Sequence, residues 1–209
     1  MLTSMDARVA TLADLDVVAE TIQLAFADDP VWSRAFAHPD DRGVAAFWRL
    51  WLEGALRYPW VWMTQAGEAV SVWIPPGGDE LSPEQEAAFK RLAESSLGRR
   101  GASYLDAVMA CFTEAHPHGE PHYYLSLLGT HPAHRGHGLG MALLAENLTR
   151  IDAEGAAAYL ESSNSANDQR YQRLGFAPHG RFKLPDDGPI VTTMWRPGRD
   201  PEPSPIRRP

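Results

Sequence analysis

A glycine-rich run that follows the densest apolar stretch is the feature that most constrains this 209-residue chain. The apolar stretch from His122 to Leu128 predicts a central strand, and residues Met141 to Ala153 predict a helix. The run between them reads Gly-Thr-His-Pro-Ala-His-Arg-Gly-His-Gly-Leu-Gly over residues 129–140. Glycines let a backbone approach a ligand closely, and a helix start presents free N–H groups with a partial positive charge. The run therefore indicates an anion site of the kind that holds phosphates, with a ligand-free tight connection as the alternative.

Other ligand motifs do not fit this run. A P-loop requires Gly-x-x-x-x-Gly-Lys-Ser/Thr, and the run contains no lysine. A dinucleotide fingerprint belongs to a chain's first βαβ unit, whereas this loop begins only at residue 129. The spacing of His131, His134 and His137 suggests zinc, but neither a cysteine nor a carboxylate of the run completes a ligand set. We therefore predict no metal.

The rest of the chain predicts one α/β domain over residues 1–196, followed by a proline-rich flexible tail over residues 197–209. Helices are predicted where apolar residues recur at helical spacing, and strands where β-branched and aromatic residues cluster. The glycines of residues 98–101 predict a stop between two helices. The predicted strands lie at residues 8–10, 60–63, 69–74, 122–128, 157–161 and 190–195, and the predicted helices begin after Thr11, at Pro39, after Ser82, before Leu105, at Met141 and at Asp168.

Composition limits the partners and the compartment. With 19 basic and 27 acidic residues the chain carries a net charge of -8, which argues against nucleic acid and anionic membranes and favours a cationic small molecule. No apolar run approaches the length of a membrane helix, and the first residues do not read as a secretory signal. The lone Cys111 cannot form an internal disulfide, so we expect a cytoplasmic protein.

Two segments together resemble the GNAT superfamily of N-acetyltransferases. Residues Arg135–Gly140 are similar to its pyrophosphate loop. Residues Leu160–Ser163, then Asn167, then Tyr171–Phe176 are similar to its later motif, in which an Asn caps a short helix and a Tyr precedes Gly-Phe. Within the superfamily the chain is most similar to puromycin N-acetyltransferases. The resemblance implies a mixed central sheet of six or seven strands flanked by helices, with acetyl-CoA as the cofactor.

The resemblance also implies residue roles. Tyr171 would protonate the departing sulfur, Glu161 would take the proton of the acceptor amine or bind its cation, and an N–H near Leu128 would polarise the thioester carbonyl. The connection after the first helix would contact the acceptor through Asp28, Asp29, Trp32 and Phe36. The residues that would bind the cofactor are Leu128, Gly129, Thr130, Arg135, Gly136, His137, Gly138, Leu139, Gly140, Met141 and Asn167.

The function expected from this resemblance is direct acetyl transfer to a primary amine of a small molecule, with antibiotic detoxification or self-resistance as the context. Three alternatives stay open: an aminoglycoside acceptor, a protein acceptor, and an acyl-CoA sensor without turnover. A homodimer also stays open as an assembly. Partners other than the acceptor, such as nucleic acid or membrane, are not expected.

Overall fold

The fold is built on one mixed sheet. The computed structural model describes residues 6–37 and 41–199. In that part of the chain, seven strands follow the spatial order β1-β2-β3-β4-β5-β7-β6. Only the pair β4–β5 is parallel among the paired strands. The strands are β1 (Ala7–Val9), β2 (Val61–Thr64), β3 (Ala69–Ile74), β4 (His122–Thr130), β5 (Ala157–Ser162), β6 (Ala177–Lys183) and β7 (Ile190–Arg196).

Helices cover both faces of the sheet. One core cluster packs α1 and α3 against one face, and a second packs α5 against the other. No helix in the described ranges combines the length and apolar character needed to cross a bilayer. The helices are α1 (Leu15–Phe26), α2 (Trp32–Ala35), α3 (Asp41–Ala55), α4 (Pro83–Ala115), α5 (Leu139–Ala153) and α6 (Asp168–Gln172).

Local signals set most of these boundaries. The Ser82 hydroxyl accepts a hydrogen bond from the Gln85 N–H and starts α4, as a capping box predicts. Gly98 has φ +64° and ψ 175°, so α4 is broken there into two helical parts, which confirms the predicted stop. The predicted helix start at Pro39 and residues 200–209 of the predicted tail lie outside the described residues.

Two elements differ from the prediction. The strand β6 was not predicted, because Pro178 and Gly180 weaken the strand signal of its sequence. It lies at the edge of the sheet, where such residues are tolerated, whereas central strands exclude them. The short helix α2 occupies part of a segment predicted as a connection. Its first N–H groups, those of Val31 and Trp32, donate to the Asp29 carboxylate at 2.9 and 3.2 Å.

The strand β4 contains a β-bulge. Leu127 pairs with Val72 and Leu125 with Trp73, which leaves Ser126 as an extra residue on β4. The extra residue switches the alternation of side chains, so Leu125 joins the α5 cluster while Leu127 joins the α1–α3 cluster. The bulge thus lies where β4 begins to leave its neighbour β5.

Candidate active site

The two central parallel strands separate and open a cleft. Pairing between β4 and β5 ends at Leu125 and Leu160, although β4 continues along β3 to Thr130 and β5 continues along β7 to Ser162. One edge of β4 beyond Leu125 therefore faces the cleft instead of a strand. An exposed strand edge can hydrogen-bond an extended ligand as if the ligand were an added strand. This first cleft has a volume of about 500 Å³.

The glycine-rich loop forms one wall of the first cleft. Gly136 and Gly138 have φ values of +86° and +74°, and Gly138 stands immediately before α5. A Cβ on Gly140 would lie 2.7 Å from Thr130 Oγ1, so the helix start can lie this close to β4 only because Gly140 has no side chain. Arg135 Nη2 donates to the Ala25 carbonyl at 3.0 Å and so fastens the loop to α1. The free N–H groups at the start of α5 suit a phosphate group.

Gly138→Val tests this wall. A β-branched residue at positive φ is strained by about 1–3 kcal/mol, and relief of that strain would turn the N–H groups away from the cleft. We expect the Kd for acetyl-CoA, the cofactor that the resemblance implies, to rise by about 10-fold in calorimetry. Gly98→Val is the matched control, because Gly98 also has positive φ but lies outside the clefts described here. Both variants should melt at lower temperature, and an equal Kd in both would contradict the assignment of the loop.

Tyr171 lines the first cleft from α6. Burial, together with the negative charges of Asp29 and Asp168, raises the pKa of its hydroxyl to about 12. The hydroxyl therefore keeps its proton at neutral pH and is suited to donate it to a leaving group.

Glu161 lies near the end of β5, where the first cleft meets a second one. Its side chain is 2% exposed, and its Oε1 atom is buried without a hydrogen-bond partner among the described residues. The imidazole of His116 lies beside it, with its Nδ1 atom 3.7 Å from that oxygen. A buried carboxylate oxygen without a donor is the kind of acceptor that an ammonium group satisfies.

The second cleft has a volume of about 460 Å³ and shares Phe112, Tyr124 and Glu161 with the first. Four carboxyl side chains and three histidines line it, and no lysine or arginine does so in the described part of the chain. Its acidic and imidazole lining consists of Asp79, Glu80, Glu120, Glu161, His116, His118 and His122. The charge of this lining favours a cationic ligand.

Glu80 is a second carboxyl group at this junction. It accepts a hydrogen bond from the Ser126 hydroxyl, and Ser126 Oγ in turn accepts one from Trp51 Nε1 at 3.2 Å. Burial, and the nearby charges of Glu161 and Asp79, raise the pKa of Glu80 to about 8. Glu80 is therefore mostly neutral at pH 7. Glu161 thus has no second ionised carboxylate beside it on the Glu80 side of the junction.

Glu80→Gln is expected to stabilise the protein in a pH-dependent way. The folded state keeps the Glu80 proton up to about pH 8, whereas an unfolded glutamate loses it at its lower ordinary pKa. Folding takes up a proton between these values, so the free energy of unfolding falls with rising pH and levels off above about pH 8. The variant lacks this loss, and its Tm should exceed that of the wild type by about 5 °C near pH 8 and by little near pH 5.

Thermal melting against pH provides the measurement, with Glu86→Gln, an exposed residue of α4, as the control. A constant Tm difference between the Glu80 variant and the wild type across this pH range would contradict the buried, protonated state of Glu80.

The structure brings most of the predicted cofactor residues to one cleft. All of them except His137 line the first cleft. The predicted cap Asn167 occupies the N-cap position of α6, but its side chain makes no capping hydrogen bond there, and its Oδ1 accepts from Arg170 Nη1 at 3.2 Å instead. In the turn before α6, Asn164 Oδ1 accepts from the Ala166 N–H at 3.1 Å.

The structure places the predicted acceptor residues in two different environments. Asp28 and Trp32 line the first cleft. Phe36 is 6% exposed and packs in the core, with its ring centroid 4.8 Å from that of Phe47, and it lines neither cleft. The histidines predicted not to bind metal lie in the exposed loop, and the described residues contain no group of three or more side chains arranged for a metal.

Asp29, which the sequence places beside Asp28 in the predicted acceptor connection, also lines the first cleft, and its carboxylate accepts from the Ser163 hydroxyl at 2.6 Å. Sequence reasoning missed Glu80, His116 and Tyr124. One local signal was available for His116. The run His-Pro-His-Gly-Glu-Pro-His over residues 116–122 places three imidazoles and a carboxylate directly before the central strand.

Comparison with known proteins agrees with this geometry. The model of the acetyltransferase (GNAT) family matches residues 28–176. A protein from Corynebacterium glutamicum described as histone acetyltransferase HPA2 and related acetyltransferase is 27% identical, with a TM-score of 0.66 over 96% of this chain and 100% of its own.

Two further structures share the fold at lower identity. The polyamine N-acetyltransferase of Drosophila melanogaster, which forms N-acetylagmatine, is 16% identical with a TM-score of 0.53 over 91% of this chain and 98% of its own. A NatC complex bound to Gag peptide and CoA contains a chain that is 14% identical, with a TM-score of 0.53 over 93% and 99%. The family match covers well over half of the sequence. The chain therefore belongs to the GNAT family, as an N-acetyltransferase that uses acetyl-CoA.

Proposed function

We propose that this enzyme acetylates a small cationic primary amine that enters through the second cleft. The observation that carries the proposal is the position of Glu161, which lines both clefts and has a buried oxygen without a hydrogen-bond donor. An ammonium group at the inner end of the second cleft would supply that donor. It would also lie at the junction with the first cleft, where the acetyl donor belongs.

The residues of the first cleft fit acetyl-CoA. The free edge of β4 at Leu128, Gly129 and Thr130 suits an extended amide arm, and the glycine loop with Arg135 suits a pyrophosphate. Acetyl-CoA supplies a thioester whose carbonyl carbon is open to attack by an amine. Tyr171 holds the proton that a departing sulfur requires.

Glu161 would act on the acceptor in two ways. Its carboxylate attracts the ammonium form, and it can then accept one proton so that the nitrogen becomes nucleophilic. The neutral Glu80 beside it leaves Glu161 as the principal negative group at the junction. Asp28 and Trp32 lie in the first cleft, from which they would contact the part of the acceptor that passes the junction.

The lining also limits the acceptor class. The second cleft combines carboxyl groups with the aromatic rings of Phe112 and Tyr124, which suits a cation attached to a flat or apolar body. Puromycin, whose primary amine lies next to an aromatic ring, is the specific candidate, in keeping with the resemblance of the sequence. A detoxifying or self-protective role in the cytoplasm is proposed with it.

Release of free thiol from acetyl-CoA across a panel of amines tests the proposal. The panel contains puromycin, agmatine, several aminoglycosides and a short peptide. We expect thiol release with a small amine, and mass spectrometry should show one added acetyl group on it. Turnover of the peptide alone would replace the small-molecule acceptor by a protein. Tight acetyl-CoA binding without thiol release from any amine would favour the sensor.

A further inference from the structure

A chain of two histidine rings leads from Glu161 into the second cleft. His122 Nδ1 lies 2.7 Å from the Glu120 carbonyl oxygen, and a carbonyl only accepts, so this nitrogen carries a proton. Burial lowers the pKa of His122, which keeps the ring neutral and leaves its Nε2 as an acceptor. His116 Nε2 lies 3.2 Å from that atom and must therefore be the donor.

This assignment fixes the state of the nitrogen that faces Glu161. With its proton on Nε2, a neutral His116 ring would turn the lone pair of Nδ1 toward Glu161 Oε1, 3.7 Å away. A lone pair facing a carboxylate oxygen is repulsive. One additional proton, held by either His116 Nδ1 or Glu161, removes the repulsion. The pair is therefore built to share a proton.

From this arrangement we propose that His116 relays the proton of the acceptor amine from Glu161 to water in the second cleft. The inference rests on the proposed function, because it assumes that the amine reaches Glu161. His116 is suited to the relay because its side chain is 28% exposed, whereas that of Glu161 is 2% exposed.

The protons balance over one turnover. The ammonium group gives one proton to Glu161, the pair releases to water from His116 the proton that it already shares, and His116 Nδ1 is then free to share the new proton. The nitrogen forms its bond to the acetyl carbon while the carbon–sulfur bond breaks, and Tyr171 protonates the sulfur. The nitrogen loses its second proton as the amide forms, and that proton replaces the one lost by Tyr171. The sum is an amide, a thiol and one proton released from the ammonium.

Several ionisable groups on other elements surround the pair formed by His116 and Glu161. His116 ends α4, and its ring lies 4.9 Å and 5.0 Å, by centroids, from Tyr124 on β4 and Tyr159 on β5. Burial and the charge of Glu161 raise the pKa of both tyrosines, so these rings stay neutral. The titratable groups around the pair are Glu80, His118, Glu120, His122, Tyr124 and Tyr159.

Two substitutions separate a relay from a packing role. His116→Ala removes the imidazole and opens its space to the second cleft, which His116 lines. His116→Phe keeps an aromatic ring against Tyr124 and Tyr159 but provides no nitrogen. We expect both to lower kcat by about 10- to 100-fold, and added imidazole to restore much of the rate in His116→Ala alone. His179→Ala, on β6 and outside the clefts described, is the control and should keep the wild-type rate and pH profile.

A measurement without turnover makes the test independent of the acceptor. The 15N NMR signal of His116 Nδ1 should change in Glu161→Gln, because that nitrogen faces the Glu161 carboxylate at 3.7 Å and would lose its partner in the shared proton. An unchanged Nδ1 signal, or full activity of His116→Phe, would overturn the relay. Thiol release with a fully active His116→Phe would leave the proposed function standing, whereas silence of the wild type on every amine would count against that function itself.

Discussion

Tyr171→Phe is expected to lower kcat by about 100-fold while the Kd for acetyl-CoA stays nearly unchanged. The substitution removes the hydroxyl proton that lies in the first cleft, but it keeps the ring that packs near Phe176. An interaction needed only in the transition state lowers kcat without weakening ground-state binding. Steady-state kinetics and calorimetry on the same variant measure the two quantities.

Tyr123→Phe is the matched control for this substitution. Tyr123 lies on β4 but outside both clefts, and its hydroxyl donates a hydrogen bond to Glu154 at 2.6 Å. Loss of this hydroxyl should lower the Tm and leave kcat unchanged. Because the Tyr171 pKa is about 12, the wild-type rate should also show no decline attributable to this residue below about pH 10. An unaltered kcat in Tyr171→Phe would remove the residue from the mechanism.

Glu161→Gln is expected to lower kcat/KM for the amine by about 100-fold near pH 7. Gln neither attracts an ammonium group nor accepts its proton, so the variant depends on the small fraction of acceptor that is already neutral. The defect should therefore shrink as the pH approaches the pKa of the acceptor amine. Rates measured against pH for wild type and variant test both the size and the pH dependence of the loss.

Glu146→Gln gives the comparison for Glu161→Gln. Glu146 lies on α5 and pairs with Arg150 at 3.2 Å, away from both clefts, and we expect its substitution to leave kcat/KM near the wild-type value. Wild-type activity of Glu161→Gln at pH 7 would contradict both roles proposed for Glu161. A defect of equal size at every pH would also contradict both roles, because charge attraction and proton transfer each require the ammonium form of the acceptor.

Much of the fold follows from short-range signals. The cap at Ser82, the break at Gly98 and the apolar run of β4 lie within a few residues of the structure that they specify. The edge strand β6 escaped prediction because its residues are mostly exposed and include Pro178, so neither alternation nor β-propensity marks it. The strand forms because its backbone pairs with β7, and its own sequence does not indicate that pairing.

The glycine-loop wall of the first cleft was predictable for the same reason. The glycine loop is continuous in sequence, and the conformation of Gly136 and Gly138 is a local property of glycine. The junction of the two clefts was not predictable in this way. Glu80, His116 and Glu161 come from three distant segments, and only the separation of β4 from β5 and the end of α4 bring them to one junction.

Short stretches of sequence were thus enough to indicate most helices and strands, the glycine-rich loop and the family resemblance, because each depends on neighbouring residues. Packing determined where the charges lie relative to one another. A carboxyl such as Glu80 acquires a raised pKa only through the burial and charges of residues remote in sequence. The same holds for the contact between Glu161 and His116, since a distance of 3.7 Å between side chains 45 positions apart in sequence is a property of the folded state alone.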